Sequence, residues 1–376
     1  MLDLLFDPAG YPFWILIIAV IAGAIAIISR PFSTYVKFVY PNAKYESMGN
    51  PYVTEKKLTT IVESKTLSDF KDSLNNTKDF KISGESPYEI QKGLDDSFYK
   101  TIEMMKTDSS KKMDNFFDIY LEKIDMYLVK KELRNKLKNG EVTDKSIEQA
   151  ILSSTKKLLY NIKETERKKL AEMLLDFGFH EDIAKELSNE EIDYMEIDNE
   201  VDKYIINKFI AVKVPYKCSE GKERFIKTYL DIYNIKHILR CKQLGFGKED
   251  CMKYFNGDGR EISEWRYKEL SELEGVAQVI NQLAGTSYYN ILKDSIEEYN
   301  REKTVQILEN KLDSLFLDLI KEISLKNYST IGPTLRFLIF KEYEIQNLKV
   351  IAKGIAEDLS KDFTKQFLVM EGSAWK

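Results

Sequence analysis

The sequence is poor in the residues that build compact chemical sites. It has two histidines, three cysteines and eight prolines in 376 residues. His180 and His237 stand apart, with no neighbouring Cys/His cluster of zinc-ligand spacing and no local nucleophile signature. Cys218, Cys241 and Cys251 form no CxxC pair, and an odd, sparse set reads as reduced thiols of a cytoplasmic domain. No loop has the GxxxxGK[ST] spacing that wraps a phosphate; "LGFGKED" (244–250) only approaches it. Charge of one sign is also missing. The net charge is -5 with both signs interspersed, so nothing suggests a nucleic-acid binder. No segment alternates with period two, so strands are not expected.

What is present begins with one long apolar run. From Pro8 to Ser29 there is no charge. About 20 such residues, rising 1.5 Å each, match a hydrocarbon layer of roughly 30 Å. Tyr11 and Trp14 stand at one end, where interfacial aromatics belong. Asp3 and Asp7 precede the run and Arg30, Lys37 and Lys44 follow it, so the bulk of the chain is expected on the cytoplasmic side. The acidic start "MLDLLFD" is unlike a cleaved signal peptide. Ala19, Gly23 and Ala26, with Ala22, give the span a small-residue face suited to close helix contact. Five of the eight prolines fall by position 51, and "RPFSTYVKFVYPNAKYESMGNP" reads as an irregular juxtamembrane link.

Beyond it the chain reads as helix. No proline lies between Pro87 and Pro215. "SPYE" (86–89) combines an N-cap serine, a first-turn proline and a returning glutamate; "SNEE" (188–191) reads as a second capping box. Phe117, Tyr120, Ile124 and Tyr127 recur as the apolar stripe of an amphipathic helix. The stretch "YFNGDGREISEW" (254–265) imitates a calcium loop. With Gly259 at the turn, however, Tyr254 and Trp265 occupy positions that need oxygen ligands. It reads instead as a glycine-rich turn into a helix capped by Ser263.

Internal repetition is the main organisational signal. "DIYNIKHILR" (231–240) matches "EIQNLKVIAK" (344–353). In the same chain order "TIVESKTLSDF" (60–70) resembles "HILRCKQLGFG" (237–247), "SFYKTI" (97–102) resembles "SYYNIL" (287–292), and "KKMDNFFDIYLEKI" (111–124) resembles "NKLDSLFLDLIKEI" (310–323). Asp231, Asn234 and Arg240 thus pair with Glu344, Asn347 and Lys353. Polar groups repeated within apolar helices point to structural hydrogen bonds between helices rather than to catalysis.

At these residues the sequence resembles the C subunit of the archaeal A-type ATP synthase, the counterpart of the d subunit in V-type ATPases. The resemblance rests on "YVTEKKLTTIVESKTLSDF" (52–70), "YLDIYNIKHILRCKQLG" (229–245), "YFNGDGREIS", "LAGTSYYNIL" (283–292) and "FKEYEIQNLKVIAKGI" (340–355). It implies an all-α, funnel-shaped body of three related helical units, non-catalytic and without cofactor or metal. Its implied partners are the membrane rotor ring of proteolipid subunits and the central stalk of a proton- or sodium-translocating complex. Neither nucleic acid nor a small-molecule substrate is expected. The hydrophobic N-terminal run departs from the peripheral character of the family. The expected organisation is an anchor at 1–30, a linker at 31–50, helical modules at 51–228 and 229–330, and a partial module at 331–376. A membrane-anchored helical scaffold or signalling protein is the competing reading.

Overall fold

The computed structural model describes residues 8, 10–49, 53–77, 79–189 and 191–373. Asp3, Asp7, Pro51 and Glu190 lie outside the described residues. Among those described there is no strand. Among the described residues seven helices are 18 residues or longer: α1 (Tyr11–Met48), α2 (Pro87–Asp108), α3 (Asp114–Asn139), α4 (Tyr194–Ala211), α5 (Ser219–Gln243), α6 (Gln306–Lys326) and α7 (Gly332–Ala356). Shorter helices connect and cover them.

Local chemistry sets several of the ends. Ser86 accepts the Glu89 amide while the Glu89 carboxylate accepts the Ser86 amide, and Pro87 opens α2. Gly140, with φ +74°, closes α3 in the left-handed region. Ser263 caps the helix Glu264–Ser271, as its sequence indicates. The expected box at "SNEE" does not form. Ser188 closes the preceding helix Glu181–Leu187, its hydroxyl donating to the Lys185 carbonyl. The next start is at Asp193, whose carboxylate accepts the amides of Met195 and Glu196. The stripe on α3 is also incomplete: Phe117 and Tyr120 are buried, but Tyr127 is exposed. This helix packs on α2, on α4 and on the helix Ser153–Glu164, so its buried side is not one fixed face.

The largest departure concerns the link after the apolar run. It is not irregular: α1 continues for 38 residues through Pro31 and Pro41. Local propensity is overridden by packing. Thr34, Phe38, Pro41, Asn42 and Tyr45 form a buried stripe at helical spacing that docks on α7 and α2. Tyr45 stacks on Phe337 at 4.8 Å. Asn42 Nδ2 donates to the carbonyls of Tyr328 (3.0 Å) and Thr330 (2.9 Å), and Lys44 pairs with Asp108 at 2.6 Å. The N-terminal part of α1 touches little and is apolar and long enough to cross a membrane.

The remaining six long helices close on themselves. α2 packs on α3, α3 on α4, α4 on α5, α5 on α6, α6 on α7, and α7 returns to α2. Aromatic side chains run around this ring: Phe98 meets Tyr120, Tyr120 meets Phe209, Phe209 meets Phe225, and Phe225 meets Phe316. The boundary expected at 228/229 falls inside α5, which is continuous.

Candidate functional site

The interior of the six-helix ring is the most organised polar region. Lys123 on α3 pairs with both oxygens of Glu342 on α7, at 2.8 and 3.0 Å, and Tyr120 donates to the same carboxylate. The Lys123 ammonium also lies 4.9 Å from the ring centre of Tyr120 and 5.5 Å from that of Tyr229 on α5. Two side chains of α3, the Glu342 carboxylate of α7 and the aromatic face of Tyr229 on α5 therefore meet in one cluster. Burial first, and the neighbouring Glu342 second, push the Tyr120 phenol well above its usual range, so it remains a donor. Beside this cluster lies a cavity of about 190 Å³ bounded by α3, α4 and α5 and lined mainly by Met126, Ile205, Phe209, Phe225 and Ile226.

Three lysines tie the helices together around the cluster. Lys130 (α3) reaches Asp202 (α4) at 2.5 Å, Lys236 (α5) reaches Asp313 (α6) at 2.6 Å, and Lys349 (α7) reaches Asp95 (α2) at 2.5 Å. A tyrosine from the following helix shares two of these aspartates: Tyr233 donates to Asp202 and Tyr343 to Asp313. Asp95 stands near Tyr127, which is about half exposed; partial burial first and Asp95 second push its phenol up to about 12. One helical turn on, the first two seams carry a second rung. Arg134 pairs with Asp198, and Arg240 grips Glu309 through two bonds of 2.5 and 2.6 Å. The third seam lacks that rung. Gln91 stands where the acid would be, and Lys353 turns to Glu357 on its own helix, at 3.9 Å.

The repeated polar residues divide by position. Asp231 is fully buried and accepts the amides of Arg260, Glu261 and Ile262 and the Tyr288 hydroxyl. Burial pushes its carboxyl up, and these four donors act the other way. Asn234 bonds both ways to the same loop, donating to the Gly257 carbonyl and accepting from the Asn256 amide. Asn347 repeats this geometry with both backbone groups of Val369. Glu344 accepts the Val53 amide and pairs with buried Lys341. These side chains therefore hold loops and chain ends onto helices rather than bridging one helix to another. Arg240 does bridge helices, from α5 to Glu309 on α6, whereas Lys353 pairs within its own helix, so these two do not correspond in role.

The calcium-like loop is the segment that wraps Asp231. Its Asp258 carboxylate accepts the Glu264 amide. A Cβ on Gly259 would overlap the Asp231 carboxylate. A different set of possible ligand atoms, from His180, Asp182 and Glu200, lies within 4.8 Å of one another. Lys185 and Lys203 already pair with its two carboxylates at 2.6 Å each, which makes it an ion-pair cluster. All three cysteines are buried free thiols. On α1, Trp14, Ala19, Gly23 and Ala26 are exposed, and nothing lies within 4 Å of a Cβ placed on Gly23.

The repeats matched in the sequence do not by themselves reveal the ring interior. "DMYLVKKELR" (125–134) stands in register with "DIYNIKHILR", sharing Asp, Tyr, Lys, Leu and Arg. That match pairs α3 with α5, where the pairing of 111–124 with 310–323 sets α3 against α6. Like Asp231, Asp125 accepts backbone amides, from Ile151 and Leu152.

Residues 41–367 match the ATP synthase (C/AC39) subunit family. Among curated proteins, the chain is 28% identical to the A-type ATP synthase C subunit of Methanobrevibacter smithii, covering 91% of this chain and 90% of that one. The proteins of the same description from Methanothermobacter thermautotrophicus and Pyrococcus horikoshii are 28% and 27% identical, over 90% and 89% of this chain and 89% and 90% of theirs. The chain belongs to the ATP synthase (C/AC39) subunit family.

Proposed function

We propose that this member of the ATP synthase (C/AC39) subunit family is a non-catalytic rotor adaptor of an A/V-type ATP synthase at the cell membrane. In this reading it caps the membrane rotor ring from the cytoplasmic side. In the same reading the body provides the socket for the central stalk and passes torque between stalk and ring. The observation that supports it best is the closed ring itself: dense aromatic packing resists deformation, and the lysine–carboxylate rungs oppose slippage of one helix along the next. The three helix pairs 87–139, 194–243 and 306–356 are read as three related units, replacing the boundaries expected from the sequence. Chemistry at ATP then belongs to other subunits.

The anchor has a place in the same scheme. A spanning helix that turns with the ring would be swept toward the stator if it lay in the outer lipid. Phe13–Ile28 is therefore assigned to the ring's central opening. Single cysteines at Ala19 and Gly23 should crosslink to lumen-facing ring residues. Crosslinks only to the stator or to the outer face of the ring refute that placement. Failure of the chain to co-purify with a rotary ATPase refutes the adaptor reading and leaves a membrane-anchored scaffold.

A further inference from the structure

Three hairpin turns, 109–113, 212–218 and 327–331, join α2 to α3, α4 to α5 and α6 to α7. The rungs across the other seams run antiparallel: Lys130 and Arg134 meet Asp202 and Asp198, in reverse order. Hairpins and seams alternate, so all three turns lie at one end of the ring. α1 arrives at that same end. Asn42 binds the carbonyls of Tyr328 and Thr330, and Lys44 binds Asp108 just before the first turn. Arg30, the residue that ends the uncharged run, lies 4.5 Å over the Tyr216 ring in the second turn.

The composition of this end is one-sided. Residues 109–113, 212–218 and 327–331 contain no Asp or Glu. Lys111, Lys112, Lys213 and Lys217 are exposed and form no ion pair among the described residues. Of the neighbouring acids, Asp108 is held by Lys44, Asp118 by Lys106, Glu220 by Arg224, Glu223 by Lys227 and Glu322 by Lys326; Asp114 beside the first turn and exposed Glu46 on α1 form no ion pair among the described residues. Tyr216, between Lys213 and Lys217 in the second turn, and Leu325 and Tyr328 at the third turn are exposed. Lysines interleaved with tyrosines beside the exit of an apolar helix are the side chains that an anionic headgroup layer accommodates: ammonium groups meet phosphates, and phenols sit at the interface.

We propose that this end of the body binds anionic phospholipid headgroups around the exit of α1, through Lys111, Lys112, Lys213 and Lys217. The proposal rests on α1 spanning the bilayer; where the same end also caps the rotor ring, the headgroups concerned are those held around α1 in the ring's central opening. It makes the contact between body and bilayer dependent on lipid charge, which a helix anchor alone does not.

The full chain, inserted into vesicles through α1, tests it. The native thiols are buried, so a cysteine added at Ser110, Ser219 or Ser329 takes a fluorophore selectively, with Glu357→Cys at the far end as reference. Quenching by a headgroup-attached nitroxide is compared between phosphatidylcholine vesicles and vesicles that also contain phosphatidylglycerol. Quenching at the three turn positions should rise with phosphatidylglycerol, fall at high salt and leave the Glu357 position unchanged. Replacing the four lysines by glutamine should weaken the lipid-charge response by roughly fivefold per lysine. Equal quenching in both vesicles overturns the proposal, as does a response that survives the fourfold replacement. Failure of α1 to resist carbonate extraction overturns it at its premise. If lipid charge has no effect but the replacement releases a co-purifying subunit, the basic end serves an acidic protein surface instead.

Discussion

Gly259→Ala is the sharpest test of how the body is held together. The new Cβ would overlap Asp231 Oδ1 and lie 3.0 Å from the Asp231 backbone nitrogen. The carboxylate cannot simply rotate away, because it accepts amides from Arg260 at 3.0 Å, Glu261 at 2.9 Å and Ile262 at 2.8 Å, and the Tyr288 hydroxyl at 2.9 Å. A hydrogen bond to a charged group contributes about 1.5–3 kcal/mol. Losing two of the four gives a cost of about 3–6 kcal/mol, against a typical domain stability of about 5–15 kcal/mol. Urea unfolding of the detergent-solubilised chain, followed by circular dichroism, measures this. Asp231→Ala should cost a similar amount, since it strands the same donors. In the double variant the overlapping atom is gone, so the two losses should fall short of additive by about 2 kcal/mol or more. Additive losses, or a Gly259→Ala cost below about 1 kcal/mol, would refute the account of a loop folded around that carboxylate.

Asn234→Leu and Asn347→Leu each strand one backbone amide and one carbonyl, and each should lower stability by roughly 2–4 kcal/mol in the same assay; unchanged midpoints would mean that the loops do not need these amides. His237 is buried beside Arg240 and Lys130, and burial first holds its pKa down at about 3. Its contribution is therefore complete above pH 6.5 and lost as the pH falls toward 3, at up to about 1.4 kcal/mol per pH unit. A His237→Leu variant should show a flatter acid limb between those values, and an unchanged limb would assign acid sensitivity elsewhere. At the seam with one rung, Lys349→Ala should raise amide exchange in 87–108 more than Lys236→Ala raises it in 306–326, where Arg240 and Glu309 remain; equal protection in the two variants would count against the rungs as seam holders.

Helix content is legible because capping and spacing are local. Ser86, Pro87 and Glu89 act within one turn, and the structure keeps them. The failures share a cause. Pro31 and Pro41 read as helix stops by their own chemistry, yet α1 runs through them because Asn42 and Tyr45 are held by residues almost 300 positions away. Ser188 and Asp193 are both competent caps, and sequence alone does not say which amides will be free. The ring interior is hidden for another reason. Its rungs join Lys130 to Asp202 and Lys349 to Asp95, pairings that no local window contains. The pairing of Asn234 with Asn347 is visible as a repeat, but its partners, a glycine-rich loop and a chain end, are not.

The closing seam carries a cost in time. Lys349 and Asp95 are 254 residues apart. At a synthesis rate of about 5–20 residues per second, α2 leaves the ribosome roughly 13–50 s before α7 follows it. During that interval α2, whose Ile90, Leu94, Phe98 and Ile102 are buried in the finished protein, lacks α7, one of the helices that pack against it. If α1 has already entered the bilayer, that uncovered apolar face is tethered at high local concentration beside other nascent chains. The order of synthesis therefore places the period of greatest aggregation hazard before the last helix, and it marks α2 as the segment on which a holding chaperone would act.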